Sequence, residues 1–226
     1  MASATRARTA PPTGVVMEGV SWADYETQLR IIGDRHIRVN YDSGSMELMS
    51  PLRRHGQGTT LLGWMVLVLV EELDVESQAA DPVTLKRADL AKGVEPDRLF
   101  HFGANAARVR EPREFDFAVD PPPDLVIEVD VTSSSVPRLP IFAALGIPEV
   151  WRVDEDDELR FLHLQPNGTY RPVEQSRAFH ALSLEEAARW LDQGEGVDMT
   201  AWIKGFRAFV REVIAPRHRG ESAGDR

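Results

Sequence analysis

Apolar and polar positions alternate strictly along residues 123–132. Leu125, Ile127, Val129 and Val131 fall in one phase, and Asp124, Val126, Glu128 and Asp130 in the other. A period of two marks a β-strand, whose successive side chains point to opposite faces. The alternation therefore predicts a strand with three carboxylates on one side. Upstream, Ser21 and Asp24 have the spacing of a helix N-cap and its returning acid, and that helix runs to Ile32 and stops at Gly33. Residues 37–41 and 45–49 read as a hairpin around Asp42-Ser43-Gly44. The main helix covers residues 55–73. Gly56, Gly58 and Gly63 weaken its early turns, and its later part is apolar on nearly every side, as a buried helix is. It ends on Glu71, Glu72 and Asp74, against its own dipole.

Residues 75–86 and 94–102 read as extended, and 103–120 as a polar loop. Residues 133–145 read as a short helix closed by Gly146, with Pro140 as an alternative start. Strands follow at 148–153, 158–164 and 170–174, the last two joined through Asn167-Gly168. Ser183 and Glu186 form a capping box for a helix through Leu191, and residues 197–213 make a final helix. This order predicts a mixed α/β or α+β domain around one sheet. The expected organisation is a disordered segment at 1–14, one domain at 15–192, a C-terminal helix at 193–215 and a flexible tail at 216–226.

Composition narrows the function classes. The chain has 226 residues and no cysteine, which excludes disulfides and thiolate metal sites and fits a cytoplasmic location. The longest apolar run, 61–70, is half of the ~20 residues a bilayer span needs, so no membrane partner is expected. The first residues lack the apolar stretch of a secretory signal. A net charge of −10 argues against tight, nonspecific nucleic-acid binding. Two basic groups, Arg53-Arg54 and Arg108, Arg110 and Arg113, read more readily as exposed loop charge than as phosphate contacts. Acids two residues apart on one strand face repel unless a proton or cation intervenes, and Mg²⁺ is the hard cation that takes oxygen ligands. The plainer reading is a sheet with one solvated acidic face.

Several motifs extend the picture. Ser45-Met46-Glu47-Leu48-Met49-Ser50-Pro51 is followed by His55, then by Glu95-Pro96-Asp97, by Pro123-Asp124-Leu125-Val126-Ile127-Glu128-Val129, and by Gly146-Ile147-Pro148-Glu149-Val150-Trp151. In this order they resemble the putative restriction endonuclease family of the PD-(D/E)xK nuclease superfamily, over roughly residues 21–191. The resemblance implies a restriction endonuclease-like αβββαβ core, with an N-terminal helix and hairpin and a C-terminal hairpin and helices. It implies Asp97 and Glu128 as ligands of Mg²⁺, or of Mn²⁺, and DNA as the substrate. A homodimer stays open. The superfamily's lysine, two residues after the second acid, is replaced here by Asp130. In this family the lysine often moves to the next helix, four residues before an aromatic, which places Arg138 in its position ahead of Phe142. Arginine stays protonated and is a poor proton acceptor. His55 matches the family's histidine and could contact phosphate, orient water or position Glu128. Asp124 shares a strand face with Glu128 and is equally a further metal ligand or a strand-start residue. Glu47 faces either the same cleft or solvent.

Two other functions compete with a metal-dependent DNA endonuclease. One is a catalytically weak or inactive relative that binds without cutting, favoured by Asp130 and Arg138. The other is an interaction domain whose acids are surface features.

Overall fold

The strands form two sheets rather than one, and the chain crosses between them twice within twenty residues of the Pro96-Asp97 motif. The computed structural model describes residues 14–49, 53–80, 83–110, 115–130 and 136–224, with the side chains of 53–56 and 221–224 outside the described set. In chain order the first elements are β1 (Gly14–Met17), α1 (Trp22–Ile32), β2 (Arg38–Asp42), β3 (Ser45–Met49) and α2 (Arg53–Glu72). Next come β4 (Ser77–Ala79), β5 (Leu85–Arg87), β6 (Lys92–Val94), β7 (Arg98–Phe102), α3 (Gly103–Arg108) and β8 (Leu125–Val129). The chain ends with α4 (Arg138–Ala144), β9 (Glu149–Val153), β10 (Leu159–Leu164), β11 (Tyr170–Val173), α5 (Leu184–Gln193), α6 (Met199–Phe209) and α7 (Ala215–Gly224). This is an α+β architecture.

The smaller sheet has the order β1-β3-β2-β6-β5 and is antiparallel throughout. The larger has the order β11-β10-β9-β8-β7-β4. Its one parallel pair is β8 with β9, joined by α4. α2, β4, β7, β8, α4 and β9 together give the αβββαβ order that the sequence implies. The extended readings at 75–86 and 94–102 each split, because β5 and β6 belong to the smaller sheet. Proline has no N–H for a ladder, and Pro96 lies in the crossing from β6 to β7. β1 and α3 are additions to the predicted elements. Both are short, at 4 and 6 residues, and leave little periodicity to read.

The local signals hold where they are self-contained. Ser21 accepts from the Asp24 N–H at 3.2 Å, and Asp24 returns the bond to the Ser21 N–H at 3.3 Å. Ser183 and Glu186 make the same pair at 3.2 and 3.1 Å. Pro140 sits in the first turn of α4, where backbone N–H groups have no intrahelical partner. The residues expected as a flexible tail begin instead as α7. Pro216 would clash with the carbonyl one turn back in a regular helix, and a π-helical turn at Val210–Ile214 precedes it.

Three apolar clusters hold the layers. Leu125, Ile127 and Val129 of β8 pack under Leu61, Leu62 and Met65 of α2. Val126, Val150 and Leu162 face the other way, onto Ile141 and Phe142 of α4 and onto Leu85 and Val94 of the smaller sheet. Tyr25, Val39, Tyr41 and Met46 form the third cluster, between α1 and the smaller sheet. The acidic end of α2 is compensated from α6 and the π turn: Arg207 donates to Glu71 at 2.7 Å and to Glu72 at 2.8 Å, and Arg211 donates to Glu72 at 2.7 Å.

Gly93 of β6 lies directly under the Tyr25 ring of α1. A Cβ there would stand 2.1 Å from the Tyr25 hydroxyl oxygen and 2.5 Å from its ring carbon. Tyr25 is fully buried and stacked on Tyr41, with ring centroids 4.8 Å apart, so it cannot step aside. Gly93→Ala is expected to destabilise the fold by about 1–3 kcal/mol, the usual cost of overpacking, measured as a lower urea midpoint. An unchanged midpoint would show that α1 moves freely on the sheet.

Candidate active site

Every residue of β8 is buried, so the acidic phase of this strand is not a solvated sheet face. The alternation turns Leu125, Ile127 and Val129 toward α2 and sends Val126 and Glu128 to the α4 side. Glu128 is 1% exposed, and Asp130, just past the strand, is 9% exposed. Arg138 opens α4 and lies across both. Its Nη1 pairs with Glu128 Oε2, and its Nη2 donates to Asp130 Oδ1 at 2.6 Å. Arg152 of β9 is the register partner of Glu128, and its Nε donates to Asp130 Oδ2 at 2.7 Å.

Asp97 enters from the crossing between the sheets. Its N–H donates to Glu128 Oε1 at 3.3 Å, and its Oδ2 accepts from the Val129 N–H at 2.7 Å. Its Oδ1 pairs with Arg38 of β2. The two acids, 31 residues apart in sequence, thus interleave through backbone and side chain. The smaller sheet also contributes Glu47, 3% exposed, which accepts from Asn40 Nδ2 at 3.2 Å. Glu47 is near enough for its charge to act on Arg138.

Burial dominates the electrostatics. It pushes the Glu128 carboxyl up to about 7, against the opposing pull of Arg138 and with the help of the Asp130 charge. Burial also opposes the charge on Arg138, but the carboxylates of Glu128, Asp130 and Glu47 reverse this and hold its guanidinium more basic than usual. Among the described residues, this region brings the acids Glu47, Asp97, Glu128 and Asp130 together with the arginines 38, 138 and 152.

Among the described residues, no three His, Asp or Glu side chains already converge as a metal centre. The donor chemistry nevertheless fits a hard divalent cation, because the acids offer oxygen ligands.

A family model described as putative restriction endonuclease matches residues 22–194. The chain belongs to this family. No curated protein matches it in sequence. Among solved structures, that of a putative nuclease belonging to DUF820 from Anabaena variabilis aligns with a TM-score of 0.45 and 15% identity, covering 68% of this chain and 90% of that one.

Of the residues that the family resemblance singles out, the structure brings Asp97, Glu128, Asp130 and Arg138 into one network. Arg138 lies beside Glu128 from the helix, while the strand position of the superfamily lysine is filled by Asp130. Asp124 stands apart at the other end of β8. Its Oδ2 accepts from the Phe102 N–H and its Oδ1 from Asn105 Nδ2, both at 2.8 Å, so it ties β7 and α3 to β8. The backbone of His55 lies in the first turn of α2, and its side chain falls outside the described residues. Arg113 also falls outside them. Glu149 is a structural clamp: it accepts from the N–H groups of Arg177 and Ala178 at 3.0 and 2.8 Å and from Trp151 Nε1 at 3.0 Å. Trp151 is core, stacked on Phe161 with centroids 4.7 Å apart. Arg38 and Arg152 are the charged partners that local sequence patterns give no reason to select.

The raised Glu128 group has a definite consequence for stability. Between an unfolded value near 4.5 and a folded value of about 7, the native state keeps a proton that the unfolded chain gives up. Stability therefore falls as pH rises through that window, and the penalty is complete above it. Metal-free protein is expected to lose roughly 1–3 kcal/mol between pH 5 and 8 through this group, and Glu128→Gln to lack that loss. Urea unfolding in chelator at the two pH values measures it, and identical pH dependence in both proteins would contradict the assignment.

Proposed function

We propose that this chain is a metal-dependent endonuclease that hydrolyses DNA phosphodiester bonds at the cluster around Glu128. The observation that supports the reading is the junction of Asp97 with β8: its N–H donates to Glu128 Oε1 at 3.3 Å, and its Oδ2 accepts from the Val129 N–H at 2.7 Å. Family membership supports the reaction class.

Asp97 and Glu128 would hold Mg²⁺, or Mn²⁺ in its place. When bound, the ion supplies a Lewis acid for a phosphoryl oxygen and lowers the cost of ionising an attacking water. Asp124 is left out of the ligand set, because both of its oxygens serve the β7–α3 junction. Arg138 supplies a fixed positive charge for the phosphate as negative charge builds in the transition state. It takes no proton, so proton acceptance falls to a carboxylate or to solvent. Asp130 is held from two sides by Arg138 and Arg152, which suits it to orient a water by accepting from it. His55, at the head of α2, is assigned to phosphate contact or water positioning.

A second reading has an observation of its own. Arg138 bridges Glu128 and Asp130 with its side chain 5% exposed, and this internal counterion would compete with a metal. A binding module with weak or no catalysis would be built in this way.

Cleavage of duplex DNA with Mg²⁺, Mn²⁺ or chelator separates the two readings. The nuclease reading predicts metal-dependent cleavage that falls by about 10²–10³-fold in Glu128→Gln, about 3–4 kcal/mol of transition-state stabilisation. Cleavage that survives in an Asp97→Ala/Glu128→Ala double variant would overturn the site. A wild type without cleavage that gains it in Arg138→Lys would favour the second reading.

A further inference from the structure

Arg152 stands in the middle of a row that crosses three strands. It is the register partner of Glu128 on β8 and of Arg160 on β10, so the three side chains leave the larger sheet on one face. Val150 and Leu162 share that face and pack onto Ile141 and Phe142 of α4. The cover ends near the start of that helix. Arg138, its first residue, has a side chain 5% exposed, whereas that of Arg152 is 32% exposed. Arg152 is therefore the cation of the cluster that reaches the surface.

A guanidinium carries five N–H donors in a rigid plane. Among the described residues, Arg152 places one of them: its Nε donates to Asp130 Oδ2 at 2.7 Å. The acids around it are engaged elsewhere. Glu128 pairs with Arg138 through Oε2 and accepts from the Asp97 N–H through Oε1, and Asp130 Oδ1 accepts from Arg138. On its other side stands a like charge, Arg160, whose Nε and Nη2 go to Asp154 and Glu158, both at 2.7 Å. Like charges directly opposite across a strand pair are destabilising, and tethering Asp130 uses a single donor. The outer end of the Arg152 guanidinium, Nη1 and Nη2, is left as a planar two-donor fork on a partly exposed side chain beside the acids. A fork of that shape fits two oxygens of one phosphate.

We propose that Arg152 is a substrate-binding residue that grips the DNA backbone at a phosphate next to the one being cut. Nη1 and Nη2 donate to its two non-bridging oxygens while Nε stays on Asp130. The bond to Asp130 fixes the plane of the guanidinium, so little side-chain freedom is lost when the phosphate arrives. One strand spacing, about 4.8 Å, separates Arg152 from Glu128, which places the fork to the side of the reaction centre. A contact of this kind positions the strand and reads no base. The inference rests on DNA as the substrate in the reading above.

Fluorescence anisotropy of a labelled DNA duplex, titrated with the full chain in chelator at several salt concentrations, tests it without metal or cleavage. Each phosphate contact contributes about −0.9 to the slope of log K against log salt, a quantity that a residue acting only through the fold does not move. Arg152→Gln is expected to bind about tenfold more weakly than wild type at low salt and to make the slope shallower by about one. Arg171→Gln is the control for lost charge. Arg171 is exposed and is the register partner of His163, which puts it on the opposite face of the sheet from Arg160. It is expected to leave the slope unchanged. Equal slopes in Arg152→Gln and wild type, or the same drop in Arg171→Gln, would overturn the role of Arg152 and leave the nuclease reading to the cleavage assay. No binding by the wild type would overturn both. Should Arg152→Gln not fold, phenylglyoxal labelling of the wild-type arginines with and without duplex decides. Protection of Arg152 by DNA, with Arg171 still labelled, supports the contact, and any other pattern overturns it.

Discussion

A carboxylate sealed between a sheet and a helix must either keep its proton or meet a cation, and the arrangement around Glu128 follows from that constraint. β8 is covered by α2 on one side and α4 on the other, so its acidic phase has no access to bulk water. Ionised Glu128 would be prohibitively costly in that position without compensation. Arg138 supplies it from the start of α4. The same guanidinium reaches Asp130, and Arg152 secures Asp130 from the neighbouring strand. Such a network does not make the fold more stable than a packed apolar core would; its removal in part is what costs.

The two-sheet architecture brings the members of the network together. Asp97 reaches Glu128 because the chain leaves the smaller sheet after β6, passes through Pro96 and enters the larger sheet at β7. Arg38 of the smaller sheet then meets Asp97 across the junction. The hairpin of β2 and β3 is thereby a wall of the cluster, not a peripheral ornament. The apolar contacts of Leu85 and Val94 with Ile141 and Phe142 hold that wall against α4.

What the sequence revealed divides by the range of the interaction involved. Capping boxes at Ser21 and Ser183 and the alternation of residues 125–129 are written within a few residues, and they appear where expected. The αβββαβ order was legible through the family motifs. The division into two sheets was not, because it depends on pairings such as β2 with β6, which no local period encodes. Arg38 lies 59 positions from Asp97, and nothing in its neighbourhood marks it as a partner. Glu47 illustrates the intermediate case. Its strand phase was readable, but whether that phase faced solvent or the cleft depended on where the second sheet lay. Asp124 shows the converse: its phase matched that of Glu128, yet its place at the opposite end of β8 gave it to the β7–α3 junction.

The proposed function stands or falls with one divalent ion shared by Asp97 and Glu128. Crystals grown with Mn²⁺ and measured for anomalous scattering test it most directly. A single strong peak is expected roughly 2.0–2.3 Å from an oxygen of each carboxylate, the range of hard-cation coordination. A map with no peak there, with Asp97 still paired to Arg38 and Glu128 to Arg138, would contradict it.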